Sequence, residues 1–402
     1  MKTNKGMIAS AALLALTVGI GPAYADKKYD TGATDTEIKI GGSGPFSGPA
    51  SVAGQMVKSV AAYFAWINTK GGINGRKINY IAEDDTYSSA KAVEVTRKLV
   101  EQEGVLLMAG SIGTPTQLAV SGYLNDKKIP QLFIATGNSA FYDPKVHPWT
   151  IGNSVTTFTE GVLIGKHVGQ NWPGTKVAVL FQNDDLGKEY FAGVKQGLGD
   201  KAPIAASVSY EVSDPTVDSQ IATLQSSGAT IFISLSTPKA TSQAIRRAYD
   251  TGWKPKMIIP SIVAQIQGTL APAGLDKAVG VITPTFIKDA NDPHWANDPA
   301  TIAFLDWMKT YDTQVTDTAL AIAGYDAGET LAEILKECGD ELTHENIMKH
   351  ASNIKAFHPS LMLPGISVTT TPTDYRVIHQ MQFESFNGKN WELYGAVVTD
   401  AD

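Results

Sequence analysis

From residue 38 onward, short apolar runs alternate with amphipathic stretches, and this alternation restricts the fold more than any other property of the chain. Strand-length runs separated by helix-length segments are the pattern of βα units, whose strands pair in parallel because a helix carries the chain back between them. Ile38 to Gly42 reads as a strand, followed by the loop Ser43-Gly44-Pro45-Phe46-Ser47-Gly48-Pro49. A helix comes next, with Val52, Met56, Val60, Phe64 and Ile67 on one face at three- and four-residue spacing. Gly71-Gly72 ends it, since glycine takes a left-handed cap cheaply. Further strands are expected at 78–83, 105–109 and 131–135, with a helix from Ser88 to Glu103 and another beginning near Pro115. A second series of the same kind follows Pro148-Trp149-Thr150, with strands at 176–181, 204–210, 231–235 and 257–260. A further strand is expected at 280–283, then helical patterns around 302–311 and 319–338, and a tail of alternating apolar and polar residues with a hairpin turn at Asn387-Gly388.

The first 25 residues carry Lys2 and Lys5, an apolar run from Met7 to Ile20, and Ala23-Tyr24-Ala25 with small residues at −3 and −1 of a cut. That is the pattern of a secretory signal peptide, expected to be removed, and no cysteine sits near the cut to take a lipid anchor. Release into the periplasm is the expectation. What remains is long enough for two domains with full cores. The net charge of −7 argues against a nucleic acid partner, which needs a basic surface. Cys338 is the only cysteine, so no intramolecular disulfide is available, and its neighbours Leu331, Ile334 and Leu335 favour burial.

The SGPFSGP loop, INTKGGINGRKI, EDDTYSSAKAVEVTRKLV and the GSIGTPT and IATGNSA loops, in that order, resemble the periplasmic binding proteins of the branched-chain amino acid type that feed ABC transporters. The resemblance covers almost the whole chain after the signal, through LPGISVTTTPTDYRVIHQMQ. It implies a type I periplasmic binding protein fold, α/β, with two Rossmann-like lobes of parallel sheet joined by a three-strand hinge. Residues 36–150 plus 282–357 are expected in one lobe and 151–281 plus 358–402 in the other, with crossovers near 148–153, 278–284 and 357–364. It further implies a monomer that carries a small organic acid or an amino acid to a permease in the inner membrane, without a cofactor.

Ligands of parallel α/β sheets sit beyond the carboxyl ends of the strands, where helix N-termini expose backbone N–H groups. The loops Ser111-Ile112-Gly113-Thr114 and Thr136-Gly137-Asn138-Ser139 fit that place, being small, polar and strand-following, and read as a carboxylate cradle. By the resemblance, contacts from the opposing lobe fall on Leu186, Thr237 and Ser261, with Phe46 and Phe286 as apolar walls. Amino-acid binders of this family carry an acidic residue where this chain has Ser261, and aromatic positions become Ala53, Leu186 and Thr237. An ammonium buried without a carboxylate would cost several kcal/mol. The expected ligand is therefore a small carboxylic acid with an aromatic or apolar body; an amino acid paired with Asp184, Asp185 or another acid stays open.

An enzyme is not expected. The pairs Asp84-Asp85 and Asp184-Asp185 read as cap or turn residues, and the seven histidines show no metal spacing. No nucleophile elbow or phosphate-binding loop occurs. A ligand-sensing subunit of a membrane receptor would use the same fold and is the other class left open.

Overall fold

The computed structural model describes residues 1–2, 27–48, 50–211 and 213–400. The expected signal peptide lies outside the described residues except for its first two. Among the described residues, no helix is long and apolar enough to cross a membrane.

The chain runs β1 (Lys28–Tyr29), β2 (Glu37–Gly44), α1 (Gln55–Thr69), β3 (Lys77–Asp84), α2 (Ser89–Arg97), β4 (Leu107–Ala109), α3 (Thr114–Asp126), β5 (Gln131–Ile134) and β6 (Thr150–Gly152). Strands β2 to β6 form one sheet in the order β3-β2-β4-β5-β6, parallel throughout. Its second series is α4 (Thr157–Asn171), β7 (Val177–Gln182), α5 (Asp185–Leu198), β8 (Ile204–Tyr210), α6 (Asp218–Ser226), β9 (Ile231–Leu235), α7 (Pro238–Asp250), β10 (Lys256–Ile258), α8 (Ala271–Ala273) and β11 (Ile282–Thr285). After α9 (Pro299–Tyr311), α10 (Thr318–Cys338), β12 (Glu341–Leu342) and α11 (His344–Ala351), the chain ends in β13 (Gln380–Phe386) and β14 (Trp391–Thr399).

The second sheet has the order β14-β13-β11-β10-β9-β7-β8. It carries the expected hairpin and corrects one expectation. Strands β13 and β14 pair antiparallel across the turn at 387–390, since only antiparallel neighbours can be joined so tightly. Residues 282–285, expected in the first lobe, are instead β11, which bonds to β10 and β13 in this sheet.

Burial follows the periodicity. Met56, Val60 and Phe64 of α1 are fully buried, facing Phe304 and Tyr325 of α9 and α10 in one apolar cluster. Val52, expected on that face, lies ahead of the helix and is 58% exposed. Cys338 is buried as expected, and burial pushes its thiol up to about 12. Helices α4 and α5 touch backbone to backbone along Gly161, Gly165, Gly193 and Gly197, where a side chain of any size would run into the facing helix.

The chain passes between the two sheets three times, after β6, after β11 and before β13. The last two passages bond to each other. Lys288 N–H donates to Leu361 O at 2.8 Å and Leu363 N–H to Phe286 O at 2.9 Å. Glu329 on α10 accepts from the Ser360 N–H at 2.7 Å and its hydroxyl at 2.5 Å.

Candidate ligand-binding cleft

In each sheet the strand order reverses once, and the helices that leave the reversal point splay apart to open a crevice. In the first sheet the reversal lies between β2 and β4, and in the second between β7 and β9. The loop after β2 holds Phe46, and the loop after β4 holds Ser111, Ile112 and Gly113, with Thr114 opening α3. Leu186 lies in the first turn of α5 after β7, and Thr237 in the loop after β9. One contact bridges the two edges: the Ser139 N–H donates to Glu189 Oε1 at 3.2 Å.

Gly113 is the residue before α3, and it sets the local geometry. Its φ of 118° is a conformation that favours glycine, and no side chain caps the helix behind it. The first-turn N–H groups of an α-helix have no partner within the helix, so α3 presents donors and the positive end of its dipole. Thr114 Oγ1 lies 2.6 Å from Thr136 Oγ1, joining the two loops expected to form a cradle. The other members are engaged differently. Ser111 is fully buried, its Oγ accepting the Ser43 N–H at 3.0 Å, and the Ile112 N–H donates to Ser43 O. Gly137 O accepts the N–H of Thr157 at 2.8 Å, and an added Cβ there would press on Val155 O. Asn138 caps the short helix 139–142 by accepting the Ala140 N–H, and Ser139 bonds to Glu189.

On the opposite edge, Leu186 is half-buried in the first turn of α5, whose cap is Asp184. Thr237 caps α7 and also takes hydrogen bonds with the Tyr210 hydroxyl, at 2.8 Å from its N–H and 3.2 Å to its Oγ1. Ser261 N–H donates to Glu160 Oε1 at 2.6 Å, while Tyr190 donates to Glu160 Oε2 at 2.8 Å. Glu160 is 2% exposed, and burial pushes its carboxyl above the usual range. Phe46 is half-buried against Gly54, with the Lys58 ammonium 5.6 Å from its ring centre. Phe286 lies instead at the junction of the passages, lining a cavity of about 50 Å³ with Asn153, Ile287, Asp326 and Met362.

Tyr87, Glu160 and Glu189 were not legible from sequence spacing, although Asp84-Asp85 held part of the signal. Both acids serve the turn, as expected of paired carboxylates. Asp84 accepts from Phe46 N–H at 2.8 Å, Ser47 Oγ at 2.6 Å and Thr86 N–H at 2.9 Å; Asp85 accepts from Tyr87 N–H at 2.9 Å. They hold Thr86 and Tyr87 at φ of 51° and 60°, left-handed values that cost non-glycine residues energy. The result is a Tyr87 ring, 43% exposed, standing against Gly113 at the mouth of the cleft. Burial raises the Tyr87 phenol and, after it, the charges of Asp85 and Asp184. Among the described residues no group of three or more His, Cys, Asp or Glu side chains is placed to hold a metal ion.

The family model described as a periplasmic binding protein matches residues 37–390. Leu/Ile/Val-binding protein homolog 2 of Brucella abortus (strain 2308) is 24% identical over 260 residues, 63% of this chain, and the match spans 66% of that relative, just under two thirds. A branched chain amino acid ABC transporter structure from Thermus thermophilus with bound valine superposes with TM-score 0.80 at 16% identity, covering 90% of this chain and 97% of that one. A solute binding protein of an ABC transporter from R. palustris, in complex with 4-hydroxybenzoate, superposes with TM-score 0.74 at 20% identity, covering 90% and 97%. At these identities the likeness is one of fold.

Proposed function

Because this chain belongs to the periplasmic binding protein family, with the type I fold, we propose that it is the extracytoplasmic solute-binding component of an ABC importer. In this reading it works in the periplasm as a monomer. It takes a small carboxylic acid with an aromatic or apolar body into the cleft and presents it to the membrane permease.

The observation that carries the reading is the start of α3. Gly113 leaves the first turn uncapped, and Thr114 and Thr136 stand beside it with paired hydroxyls. A carboxylate supplies acceptors for those N–H groups and a charge the dipole favours by about 0.3 to 1 kcal/mol in exposed settings, more when enclosed. In this reading the partly exposed rings of Phe46 and Tyr87 on the first body and the half-buried Leu186 on the second enclose the apolar part of the ligand. The R. palustris relative holding 4-hydroxybenzoate makes such a ligand compatible with the fold.

Binding needs no chemistry on the guest. The two bodies rotate about the three passages, and the ligand favours the closed arrangement because both bodies touch it only there. A permease that fits the closed surface then reads occupancy.

A second reading is favoured by one contact. The Glu160 carboxylate lies on Ser261, so an acid does stand near the place where amino-acid binders of the family hold theirs. Both of its oxygens are already taken by Ser261 and Tyr190 and it is 2% exposed, which argues for a structural anchor rather than an ammonium partner.

Thermal-shift screening tests the choice. Benzoate, 4-hydroxybenzoate, octanoate, leucine and valine are added to the purified protein. Stabilisation by one or more of the acids without an amino group is expected; stabilisation by leucine or valine alone overturns the ligand class.

A further inference from the structure

Glu189 lies on α5, in the second body, one turn beyond the Asp184 cap. Helical side chains lean toward the N-terminus of their helix, so its carboxylate is carried past the end of α5 toward the first body. There it meets donors from two places. Ser139, in the loop after β5, gives its N–H at 3.2 Å and its hydroxyl to Oε1. Thr157, the first residue of α4, gives its hydroxyl at 2.8 Å to Oε2. Among the described residues the carboxylate is met by neutral donors and by no lysine or arginine.

These bonds differ in what a rotation of the bodies does to them. Thr157 directly follows the first passage and is tied to Gly137 O through its N–H at 2.8 Å, while its one hydroxyl proton is shared between Gly137 O and Glu189 Oε2, each 2.8 Å away. It lies at the pivot and moves little. Ser139 belongs to the first body and Glu189 to a helix packed along α4 in the second, so separating the bodies must pull this pair apart. Ordinary surface ion pairs contribute little because both partners stay solvated. Here one carboxylate gathers a backbone N–H and hydroxyls from two elements, so although Ser139 is exposed the contact depends on the relative position of the two bodies.

We propose that Glu189 is an interlobe positioning residue: with no ligand present, it sets its own carboxylate on Ser139 and holds the two bodies in the approached arrangement. The Ser139 donors are then occupied by the protein, which leaves the α3 start and the Thr114–Thr136 pair for a guest. The proposal depends on the two-body geometry and not on the identity of the ligand, so it stands or falls apart from the carboxylic acid reading.

The test uses spin labels on the ligand-free protein at Ala90→Cys and Lys239→Cys, exposed positions in the first turns of α2 and α7, on facing edges of the two bodies. Cys338 is buried and stays unlabelled. Distances are read by double electron–electron resonance, with circular dichroism confirming that each variant is folded. Glu189→Ala is expected to raise the long-distance fraction at least threefold, and Ser139→Ala to raise it by less. Glu189→Gln, which can still accept from Ser139 and donate to Thr157, is expected to keep most of the short distance. Should Glu189→Ala fail to fold, Ser139→Ala carries the test. Distributions for the alanine variants that superimpose on the parent, or a parent already spread over long distances, overturn the proposal.

Discussion

The long helices that start on the two facing edges of the cleft differ in how they are capped. On the first body α1, α2 and α3 begin at Gly54, Ser88 and Gly113 with no side chain capping the N-terminus. On the second, α4, α5 and α7 are closed by Thr156, Asp184 and Thr237, each accepting from an N–H of its own first turn. The N–H of Ser261 is likewise taken, by Glu160. At the cleft α3 is left open to an anion, while α4, α5 and α7 have met a first-turn donor internally and offer mainly side-chain surface; α6, behind the edge strand β8, starts uncapped at Val217. The charge of a ligand should therefore be read by the first body and its apolar part enclosed by the second.

That contrast can be attacked in order of expected effect. Glu160→Ala strands the Tyr190 hydroxyl and the Ser261 N–H in a buried site, with an expected loss of about 3 kcal/mol of stability in chemical denaturation. If stability holds and only ligand affinity changes, Glu160 belongs to the ligand and the second edge is not self-satisfied. Gly113→Ala forces an alanine into φ near 118° and places a Cβ 3.0 Å from the Tyr87 ring. A fall in affinity for 4-hydroxybenzoate of about thirtyfold, or about 2 kcal/mol, is expected by titration calorimetry.

His167 probes the second body alone. It is stacked on Phe383 with ring centres 3.7 Å apart, and burial pushes its pKa down to about 4. An unfolded histidine near 6.5 binds protons that the folded one refuses, so stability should fall as pH drops from about 6.5 to 4 and level off below. Up to about 3 kcal/mol is available from that difference. Thermal denaturation should show a shallower decline in His167→Phe over this window; equal slopes would remove the residue from the account. Asp184→Ala, the smallest effect, should cost about 1 kcal/mol of stability as a lost cap and leave carboxylate affinity within about twofold. A large affinity loss there would mean that the second edge also reads charge.

Much of this was legible in the sequence, for a definite physical reason. Strand ends announce themselves when Gly, Ser and Thr follow an apolar run, so the segments 111–114 and 136–139 are legible as strand-end turns from the sequence. Asn387-Gly388 marks the hairpin of β13 and β14, but apolar alternation does not reveal a strand's distant partner, so the place of β11 between β10 and β13 is not legible locally. Glu160 and Glu189 were missed because their partners lie 101 and 50 residues away, and nothing in a local pattern marks such a pair. Asp84-Asp85 was recognised as turn chemistry, but the left-handed backbone it enforces at Thr86 and Tyr87 became visible only in three dimensions.

The most direct measurement is the amide spectrum of ¹⁵N-labelled protein titrated in parallel with 4-hydroxybenzoate and with leucine. The carboxylate seat predicts that 4-hydroxybenzoate moves the Gly113 and Thr114 amides most, with smaller changes at Leu186 and Thr237. Saturation by leucine with the largest shifts at Ser261 and the Gly113 and Thr114 signals unmoved would contradict it.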